Sequence, residues 1–250
     1  MAKSEGGILE TVKTLFWALV IAGVFRTLLF QPFWIPSESM KDALLIGDFI
    51  FVNKMAYGYS KYSCPFAACP IPGRILASEP ERGDVVVFRH PVNGSDMIKR
   101  LIGLPGDKIQ VKDGLLYING AVAPQEPAGT FEEIKEPQGP MGNMPRCAND
   151  PVGQGGVCTR PRFRETLPGG RVHDVLNIED NGFADNTDVF MGDNRDNSQD
   201  SRFSQAVGGV GFVPAEYLIG RADRVIFSSA GRSMLFFWTW RMDRFFEAIE

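Results

Sequence analysis

The sequence predicts a mostly β protein of antiparallel sheets, tethered by an N-terminal transmembrane helix and carrying a smaller inserted β domain. A long apolar stretch covers residues 15–25 and resumes at 28–30. Short strand-like runs follow, and the pairs Asp113-Gly114 and Asn119-Gly120 between them favour β-hairpins. The 27 glycines and 17 prolines among 250 residues are high for a helical protein and fit many turns between short strands.

The overall composition is that of a globular protein with a substantial core. Hydrophobic residues make up 44% of the chain, charged residues make up 22%, and the net charge is -4. This balance suits one or two globular units and excludes wholesale disorder. Nucleic-acid-binding domains usually carry a basic face, so the mild acidity gives no support to a nucleic-acid partner, and we expect none.

Residues 1–34 are predicted to be a cytoplasmic N-terminus followed by a membrane anchor. With the apolar residues just upstream, the apolar stretch is long enough for a bilayer of about 30 Å, which needs roughly 20 helical residues. A cleaved signal peptide is the alternative, because Lys3 and Lys13 precede the apolar core. No small-x-small site follows that core, so we expect an uncleaved anchor. The same two lysines favour an N-terminus on the inside of the membrane.

Four further segments are predicted after the anchor. A fully apolar, β-branched run at residues 85–88 indicates a buried strand, and residues 108–123 carry the two hairpin signals. From residue 124 the sequence is rich in Pro, Gly, Asn and Glu without a helical period, and strand-like sequence returns at 207–227. We therefore expect a β domain in two parts (35–123 and 187–228), an inserted smaller β/loop unit (124–186) and a C-terminal helix (229–250).

The predicted C-terminal helix depends on a stripe of apolar residues with helical spacing: Leu235, Trp238, Met242, Phe245 and Ile249. Arg241 and Arg244 fall outside this stripe. The segment is too short and too charged to span a bilayer. An amphipathic helix at the membrane interface and a helix docked on the body both fit the pattern.

Four cysteines predict disulfides. The spacings, C-x4-C for Cys64 and Cys69 and C-x10-C for Cys147 and Cys158, match neither a zinc knuckle nor a redox C-x-x-C motif. An even number in segments rich in proline and glycine suits an oxidising compartment. Proximity in the chain favours Cys64–Cys69 and Cys147–Cys158 among three possible connectivities, and four free thiols are the alternative.

The short stretch Ile35-Pro36-Ser37-Glu38-Ser39-Met40 places two hydroxyl groups just beyond the predicted anchor. Serines at this spacing also occur in ordinary turns and helix N-caps, where they bond the local backbone. Two later stretches favour a catalytic role instead, because they supply the groups that a serine nucleophile needs.

Lys99 is a better candidate for the general base than either histidine of the chain. On an extended strand, alternation puts Met97, Lys99 and Leu101 on one face, and apolar neighbours there would desolvate the amine and lower its pKa. A lysine that snorkels at the edge of the strand is the alternative. The chain has only two histidines, His90 at a strand end and His173 in the loop-rich insert, and no G-x-S-x-G motif for a Ser-His-Asp triad.

Residues 192–202, Gly-Asp-Asn-Arg-Asp-Asn-Ser-Gln-Asp-Ser-Arg, are dense in polar groups. A calcium loop does not fit, because an arginine stands at the third position and no glutamate closes the loop. A plain polar turn is an alternative. In an extended stretch Ser198, Asp200 and Arg202 share one face. There Asp200 and Arg202 can pair, and Ser198 can bond a neighbouring amine.

Together these stretches resemble the bacterial type I signal peptidases, the membrane-bound leader peptidase family. Residues 35–40 resemble the family's nucleophile box, and residues 82–88 resemble the strand after it. Residues 99–107 resemble its lysine box, and residues 192–202 its Gly-Asp-Asn-Arg-x-Asn-Ser-x-Asp-Ser-Arg box. The matches follow the family's order and cover the chain from the anchor to Phe227.

The resemblance implies a Ser-Lys dyad, with Ser39 as the nucleophile and Lys99 as the general base. The Ser37 hydroxyl and the backbone N–H of Ser39 would form the oxyanion hole, the donor set that stabilises a developing alkoxide. Ser198 would orient the Lys99 amine.

Five further residues are implied to support the dyad and the substrate. Asp200 and Arg202 would brace the site by holding the loop of Ser198 in place. Phe33, Ile35 and Ile98 would line shallow pockets for the small side chains one and three residues before the cut. The substrate would bind as an extended strand, and no cofactor or metal is expected.

By the same resemblance we expect a membrane-bound serine endopeptidase that removes N-terminal signal peptides from exported preproteins after small-x-small sites. It would be a single-pass monomer of the bacterial inner (plasma) membrane, with its catalytic domain on the periplasmic side. Its partners would be preprotein signal peptides and the lipid bilayer. The alternatives are a specialised maturation or organellar processing peptidase, and a catalytically inactive membrane-tethered β-protein that binds signal peptides.

The chain departs from the commonest family pattern near the candidate nucleophile. Glu38 stands where the family often has Gly, and Asp42-Ala43 stands where Pro-Thr is usual. We expect Glu38 to face outward between the two serines and to affect substrate preference near the cut. The catalytic assignment does not depend on it.

Overall fold

Antiparallel β-strands make up most of the regular structure, as the sequence predicts. The computed structural model describes residues 7–139, 142–178, 185–186, 190–231 and 234–249. Within these ranges one α-helix, α1 (Gly7–Leu28), precedes fifteen strands. The strands are β1 Phe30–Trp34, β2 Asp48–Asn53, β3 Tyr59–Ser60, β4 Arg74–Ile75, β5 Val85–Arg89, β6 Asp96–Leu101, β7 Ile109–Lys112, β8 Leu115–Ile118, β9 Ala121–Val122, β10 Gln125–Ile134, β11 Val157–Thr166, β12 Val172–Leu176, β13 Asp185–Asn186, β14 Phe190–Met191 and β15 Leu218–Ser228. Short 3-10 turns lie at Lys61–Ser63, Pro65–Ala67, Arg195–Asn197, Gln205–Val207, Ala215–Tyr217, Phe237–Thr239 and Met242–Arg244.

Helix α1 matches the predicted membrane anchor. Its 22 residues span about 33 Å at 1.5 Å per residue, and it is long and apolar enough to cross a membrane. None of its residues is buried against the rest of the described chain, so apolar side chains such as Leu19 and Ile21 face the surroundings. A helix that is apolar on all sides suits lipid. The predicted cytoplasmic N-terminus, residues 1–6, lies outside the described residues.

A six-stranded antiparallel sheet carries the candidate site, in the order β1-β2-β15-β5-β6-β14. β5 is the apolar run predicted as a buried strand, and its first four residues are all buried. It pairs with β6 so that Val86 lies opposite Lys99, and β6 pairs in turn with β14. β1 leads into the two serines, β6 contains the candidate lysine, and β14 leads into residues 192–202.

The β7–β8 and β8–β9 hairpins confirm the two strongest turn signals. Asp113 and Gly114 have φ of +50° and +74°, and Asn119 and Gly120 have φ of +55° and +82°. Positive φ at both central residues is typical of a type I′ turn, which Asn, Asp and Gly adopt most readily. With β13, these strands form a sheet in the order β13-β7-β8-β9.

A separate three-stranded sheet, in the order β10-β11-β12, forms within the predicted insert. β10 and β11 are ten residues each and pair along most of their length. Asp185–Asn186, the last residues of the predicted insert, pair instead with β7. Residues 179–184 and 187–189, at the predicted boundary, lie outside the described residues, so the division into domains stays a prediction.

Both favoured disulfides are present. Cys64 pairs with Cys69, and Cys147 pairs with Cys158. Cys158 is fully buried on β11, opposite Glu133 of β10. The second disulfide therefore ties the connection between these strands to the start of β11, at the loop end of the hairpin.

A hydrophobic cluster fixes the stretch that carries the two serines. Ile35 and Met40 flank this stretch and are 2% and 0% exposed. They pack against buried side chains of β2, β5 and β15: Ile50, Val52, Val85, Val87, Ile219, Ala222 and Val225. Burying an aliphatic side chain of this size contributes about 1.5–3 kcal/mol, so both ends of the stretch are held in the core.

The predicted C-terminal amphipathic helix is wrong. Residues 234–249 contain two 3-10 turns. They make two isolated β-bridges, Ala248 with Arg224 on β15 and Trp240 with Ser229 just after β15. Of the predicted apolar stripe, Leu235 is 85% exposed.

Two arginines give the physical reason for this difference. Arg244 Nη2 lies 2.7 Å from Oδ2 of the fully buried Asp48, and Arg241 Nη1 donates to the Ile46 carbonyl at 3.0 Å. The helical pattern places these side chains outside the stripe, whereas the buried carboxylate draws them inward. The segment is held by these contacts and by β bridges.

Candidate active site

The serine-bearing stretch, residues 35–40, is a short connection between β1 and a turn before β2. Its start is fixed by two backbone hydrogen bonds, from Ile35 N to Asp48 O at 2.9 Å and from Gly47 N to Ile35 O at 3.0 Å. Ser39 is 7% exposed, whereas Ser37 is exposed. Their hydroxyl oxygens are 3.4 Å apart, so both hydroxyls border the same small space.

Lys99 reaches Ser39 from the neighbouring part of the sheet. Its side chain is buried, and its Nζ lies 2.7 Å from the Ser39 Oγ and 3.0 Å from the Ile98 carbonyl oxygen. Burial lowers the pKa of the Lys99 ammonium from its ordinary 10.5 to about 8; Arg202 acts in the same direction, and Asp200 and Asp193 oppose it. The amine is therefore neutral in a substantial fraction of molecules near pH 8.

This pair has the geometry of a nucleophile and its base. A serine hydroxyl is a weak nucleophile until a base within about 2.6–3.2 Å accepts its proton. A buried neutral amine at that distance can do so, because its lone pair is not occupied by a proton. The arrangement can carry out nucleophilic attack on a carbonyl group.

The loop at residues 192–202 packs against the back of Ser39. Asp200 Oδ1 accepts from Arg202 Nε at 2.9 Å, and Asp200 Oδ2 accepts from Gly192 N at 3.0 Å. Burial opposes ionisation of Asp200, but the Arg202 guanidinium and these hydrogen bonds hold the pKa of the carboxyl below its ordinary value. The Asp200–Arg202 pair predicted from the sequence is formed.

The predicted contact between Ser198 and Lys99 is not formed. Ser198 is 7% exposed and its Oγ is buried, but Lys99 bonds Ser39 and Ile98 and not this hydroxyl. The orienting role of Ser198 stays a prediction.

Gly192 permits the loop to approach the serine stretch. A Cβ on this residue would lie well under 3.0 Å from the Ser39 carbonyl oxygen and from the Ser198 Oγ. Asn194 N donates to the same Ser39 carbonyl at 3.2 Å. Only glycine leaves room for this close backbone contact.

A small cleft opens beside the two serines. It has a volume of about 100 Å³ and is lined by the three predicted pocket residues together with the candidate catalytic groups: Phe33, Ile35, Ile98, Ser37, Ser39 and Lys99. β1 and β6 both contribute residues to its walls, and binding of the substrate as an extended strand stays a prediction. The structure thus brings together six of the predicted site residues in one cleft.

The family model described as signal peptidase, peptidase S26, matches residues 8–227. This chain belongs to the S26 family of signal peptidases. Signal peptidase I of Rickettsia typhi is 40% identical over 243 residues, which cover 88% of this chain and 82% of that protein. Signal peptidase I of Rickettsia prowazekii is 38% identical over 242 residues, with 88% and 82% covered. A solved signal peptidase I from Enterococcus faecalis V583 is 23% identical and covers 58% of this chain and 97% of its own, with a TM-score of 0.28.

Neither histidine of this S26 family member approaches the serines. His90 Nδ1 accepts from Val92 N and Asn93 N at 3.1 and 3.3 Å, in the turn between β5 and β6. The His173 Nε2 lies 3.3 Å from a Glu165 carboxylate oxygen, and burial lowers the pKa of its ring. In the described residues, both histidines therefore have structural surroundings and neither is placed as a base for Ser39.

The prediction that Glu38 faces outward is wrong. The side chain does not face outward but is 4% exposed. Its Oε2 lies 2.9 Å from the Lys41 Nζ, and its Oε1 accepts a hydrogen bond from the Asn197 amide. The opposite charges three residues apart are a visible sequence signal, but the remaining partners come from distant parts of the chain.

Arg100 is a buried polar residue for which the sequence motifs predict no role. Its guanidinium makes a bidentate pair with Asp193, with N···O distances of 2.8 and 2.7 Å, and both side chains are 1% exposed. Bidentate pairs of this kind combine strength with fixed geometry. The pair joins the strand of Lys99 to the loop that packs against Ser39.

Proposed function

We propose that this S26 family member is a membrane-bound serine endopeptidase that removes N-terminal signal peptides from exported preproteins, with Ser39 as nucleophile and Lys99 as general base. The observation that carries the proposal is the 2.7 Å contact between Lys99 Nζ and Ser39 Oγ inside a cleft beside β1 and β6. A protein that only binds peptides does not require a buried amine within hydrogen-bond distance of a serine hydroxyl.

In the first chemical step the Lys99 amine takes the Ser39 proton while the Ser39 Oγ attacks the scissile carbonyl carbon. The negative charge moves to the carbonyl oxygen, where the Ser37 hydroxyl and the Ser39 N–H donate hydrogen bonds. One such donor contributes about 3 kcal/mol of transition-state stabilisation. Lys99 then returns the proton to the leaving amine, and the scissile C–N bond breaks to leave an acyl-enzyme.

In the second step Lys99 accepts a proton from water, and the hydroxide attacks the acyl carbon. Collapse of this intermediate breaks the ester bond, and the proton on Lys99 returns to the Ser39 oxygen. The enzyme is restored, and one water has been consumed. No group outside this chain is required for the proton transfers.

The size of the cleft supports the preference for small side chains at the cut. A volume of about 100 Å³ accommodates little more than a few small groups. The Phe33, Ile35 and Ile98 side chains make its walls apolar. We assign these three residues to the pockets for the small residues one and three positions before the scissile bond.

The loop at residues 192–202 would keep the dyad aligned. The Asp200–Arg202 pair is buried and also holds the Arg195 carbonyl, which accepts from Arg202 Nη2 at 2.7 Å. We assign this pair a bracing role. Ser198, whose buried hydroxyl lies in the same loop, would accept from the Lys99 ammonium once the proton is transferred.

We infer that the anchor holds the cleft close to the membrane surface. Helix α1 ends at Leu28, and Ser39 follows after β1, so the candidate nucleophile lies a short distance beyond the bilayer. We place the N-terminus in the cytoplasm and the catalytic domain on the periplasmic side. Because all the proposed catalytic groups belong to one chain, a monomer suffices. Protease added to spheroplasts would then digest the body and leave the N-terminal residues protected, and a protected body would refute this topology.

The test is cleavage of a preprotein with a small-x-small site by the full chain in detergent, with the cut mapped by mass spectrometry. We expect wild type to release the signal peptide, and Ser39→Ala and Lys99→Ala to release none while remaining folded by circular dichroism. An inactive binding protein would bind the preprotein but leave it intact in all three cases. Turnover of the Ser39→Ala variant near the wild-type rate would refute the dyad.

A further inference from the structure

Glu38 lies between the two serines in the chain, and its carboxylate is held from two directions. Its Oε2 pairs with Lys41 Nζ at 2.9 Å, and its Oε1 accepts from the Asn197 amide. The Glu38 backbone carbonyl accepts from the Asn194 amide at 3.0 Å. Asn194 and Asn197 belong to the loop that packs behind Ser39, so Glu38 joins the serine stretch to that loop.

A second layer of contacts joins the same carboxylate to the β10–β11 hairpin. Lys41 Nζ also lies 2.7 Å from Glu133 Oε2 and 2.9 Å from Gln138 Oε1. Glu133 pairs in addition with Arg160 of β11, and Arg160 Nη2 lies 3.9 Å from Glu38 Oε2. Two acidic and two basic side chains therefore alternate in one network with no net formal charge.

Three of the four charged members of the network are buried and Glu133 is partly buried, which makes the geometry of the network specific. Lys41 and Arg160 are each 1% exposed, and Glu38 is 4% exposed. Burial opposes ionisation of Glu133, but Lys41, Gln138 and Arg160 hold the pKa of its carboxyl below its ordinary value. Removing one partner from a buried set of charges leaves another uncompensated, so each member constrains the positions of the others.

We propose that Glu38 is a positioning residue that holds Ser39 against Lys99, and that the β10–β11 hairpin acts on catalysis through Glu38. The inference rests on the proposed dyad. Among the described residues, those of the hairpin do not line the cleft itself. Arg160 holds Glu133, Glu133 holds Lys41, and Lys41 holds Glu38, the residue between Ser37 and Ser39 in the chain. Displacement of a nucleophile by about 1 Å can cost about 10²-fold in rate.

The pH dependence of the reaction distinguishes positioning from a purely structural role. The charges that act on Lys99 are Asp200, Asp193 and Arg202, so loss of the Glu38 charge has no direct effect on the base. A displaced serine stretch, however, admits water to the Lys99 amine and moves the acidic limb of kcat/KM to higher pH. A variant that only lowers stability leaves that limb unchanged, because each molecule that remains folded has the same Lys99 surroundings.

The experiment compares Glu38→Ala, Glu38→Gln and Glu133→Gln in the full detergent-solubilised chain, well below the unfolding temperature of each. With a short signal-peptide substrate we expect Glu38→Ala to lower kcat by about 10²-fold and to leave KM within about twofold. Glu38→Gln keeps the size of the side chain and should lose about tenfold. Glu133→Gln should show the same signature at smaller amplitude. All three substitutions should move the acidic limb of kcat/KM to higher pH.

Glu132→Gln is the matched control, because Glu132 is the exposed neighbour of Glu133 on β10, and it should match wild type. If Glu38→Ala left both kcat and the acidic limb of kcat/KM unchanged, the positioning role would be overturned. A loss of activity without a shift of that limb would overturn it as well. Equal behaviour of Glu133→Gln and Glu132→Gln would overturn the action of the hairpin. Ser39→Ala, assayed in parallel, separates these outcomes from a failure of the dyad, which would show as an active Ser39→Ala enzyme.

Discussion

Lys99 Nζ and Ser39 Oγ lie 2.7 Å apart, although the two residues are separated by 60 positions in the chain. The sheet brings them together because β6, which carries Lys99, runs beside β5, and the serine stretch packs on the apolar side chains of β5 and β2. The lysine is 2% exposed at this contact. Burial and proximity together give the pair the geometry that a nucleophile and its base require.

The stability of the protein should depend on pH through Lys99. The fall of its pKa from 10.5 to about 8 corresponds to about 3 kcal/mol. Below about pH 8 both the folded and the unfolded chain carry the proton, and the folded state bears the full cost of burying the charge. Between about pH 8 and 10.5 the unfolded state binds more protons, so the contribution of Lys99 to folding improves as the pH rises.

We therefore predict that Lys99→Met is inactive but more stable than wild type at about pH 6, by up to about 3 kcal/mol. This advantage should shrink toward about pH 10. Chemical denaturation of both proteins across this range is the measurement. Lys108→Met, which removes an exposed lysine, corrects for the loss of one positive charge. A Lys99→Met protein that is less stable at the acidic end, or whose advantage is independent of pH, would show that Lys99 is solvated.

Gly192→Ala should damage both stability and activity. The new methyl group would overlap the Ser39 carbonyl and the Ser198 side chain, and overpacking of this kind typically costs about 1–3 kcal/mol. Because the serine stretch must move to relieve the overlap, kcat should fall more than the folded fraction does. Gly153→Ala is the control, since a Cβ there meets nothing within 4 Å. Equal kcat values for the two variants would contradict this account of the loop.

Loss of either histidine should leave the chemistry intact. His90→Ala removes an acceptor for two backbone amides in the β5–β6 turn, and an unsatisfied buried group costs about 1–3 kcal/mol. His173→Ala removes a side chain that contacts Glu165. We expect lower unfolding temperatures but nearly unchanged kcat/KM for the folded enzyme. An inactive, folded His90→Ala protein would revive a histidine base.

The two disulfides should contribute unequally to stability. Cys147 and Cys158 are 11 positions apart, whereas Cys64 and Cys69 are 5 apart, and a disulfide stabilises more when it closes a longer loop. Replacing Cys147 and Cys158 by alanine should cost about 3 kcal/mol, as for a loop of about 15 residues. The Cys64→Ala, Cys69→Ala protein serves as the comparison and should lose less. The reverse order in urea denaturation would contradict this expectation.

Local patterns predicted much of the fold. The apolar run of α1, the β-branched run of β5 and the two type I′ turns each depend on a few adjacent residues, so short-range physics determines them. The placement of Lys99 follows from strand alternation with Met97 and Leu101, which pack with Val86 in one apolar cluster. The approach of Lys99 to Ser39 was predicted through the order and content of the motifs.

Long-range charges explain what the sequence did not reveal. The spacing of Leu235 and Trp238 suits a helix, but the buried Asp48 carboxylate on β2 draws Arg244 inward, and no local pattern contains that contact. Glu38 lies inward for the same reason, since its network includes Glu133 on a hairpin almost a hundred positions away. Side-chain direction in an irregular stretch depends on partners that only the folded chain assembles.

The most direct test of the central claim is the pH dependence of kcat/KM for signal-peptide cleavage by the wild-type enzyme between about pH 6 and 10. If Lys99 is the base, the rate should rise with pH through an apparent pKa of about 8, and the same limb should persist in His90→Ala. A limb near 6.5, the ordinary value for histidine, that disappears in His90→Ala would contradict the Ser39–Lys99 dyad.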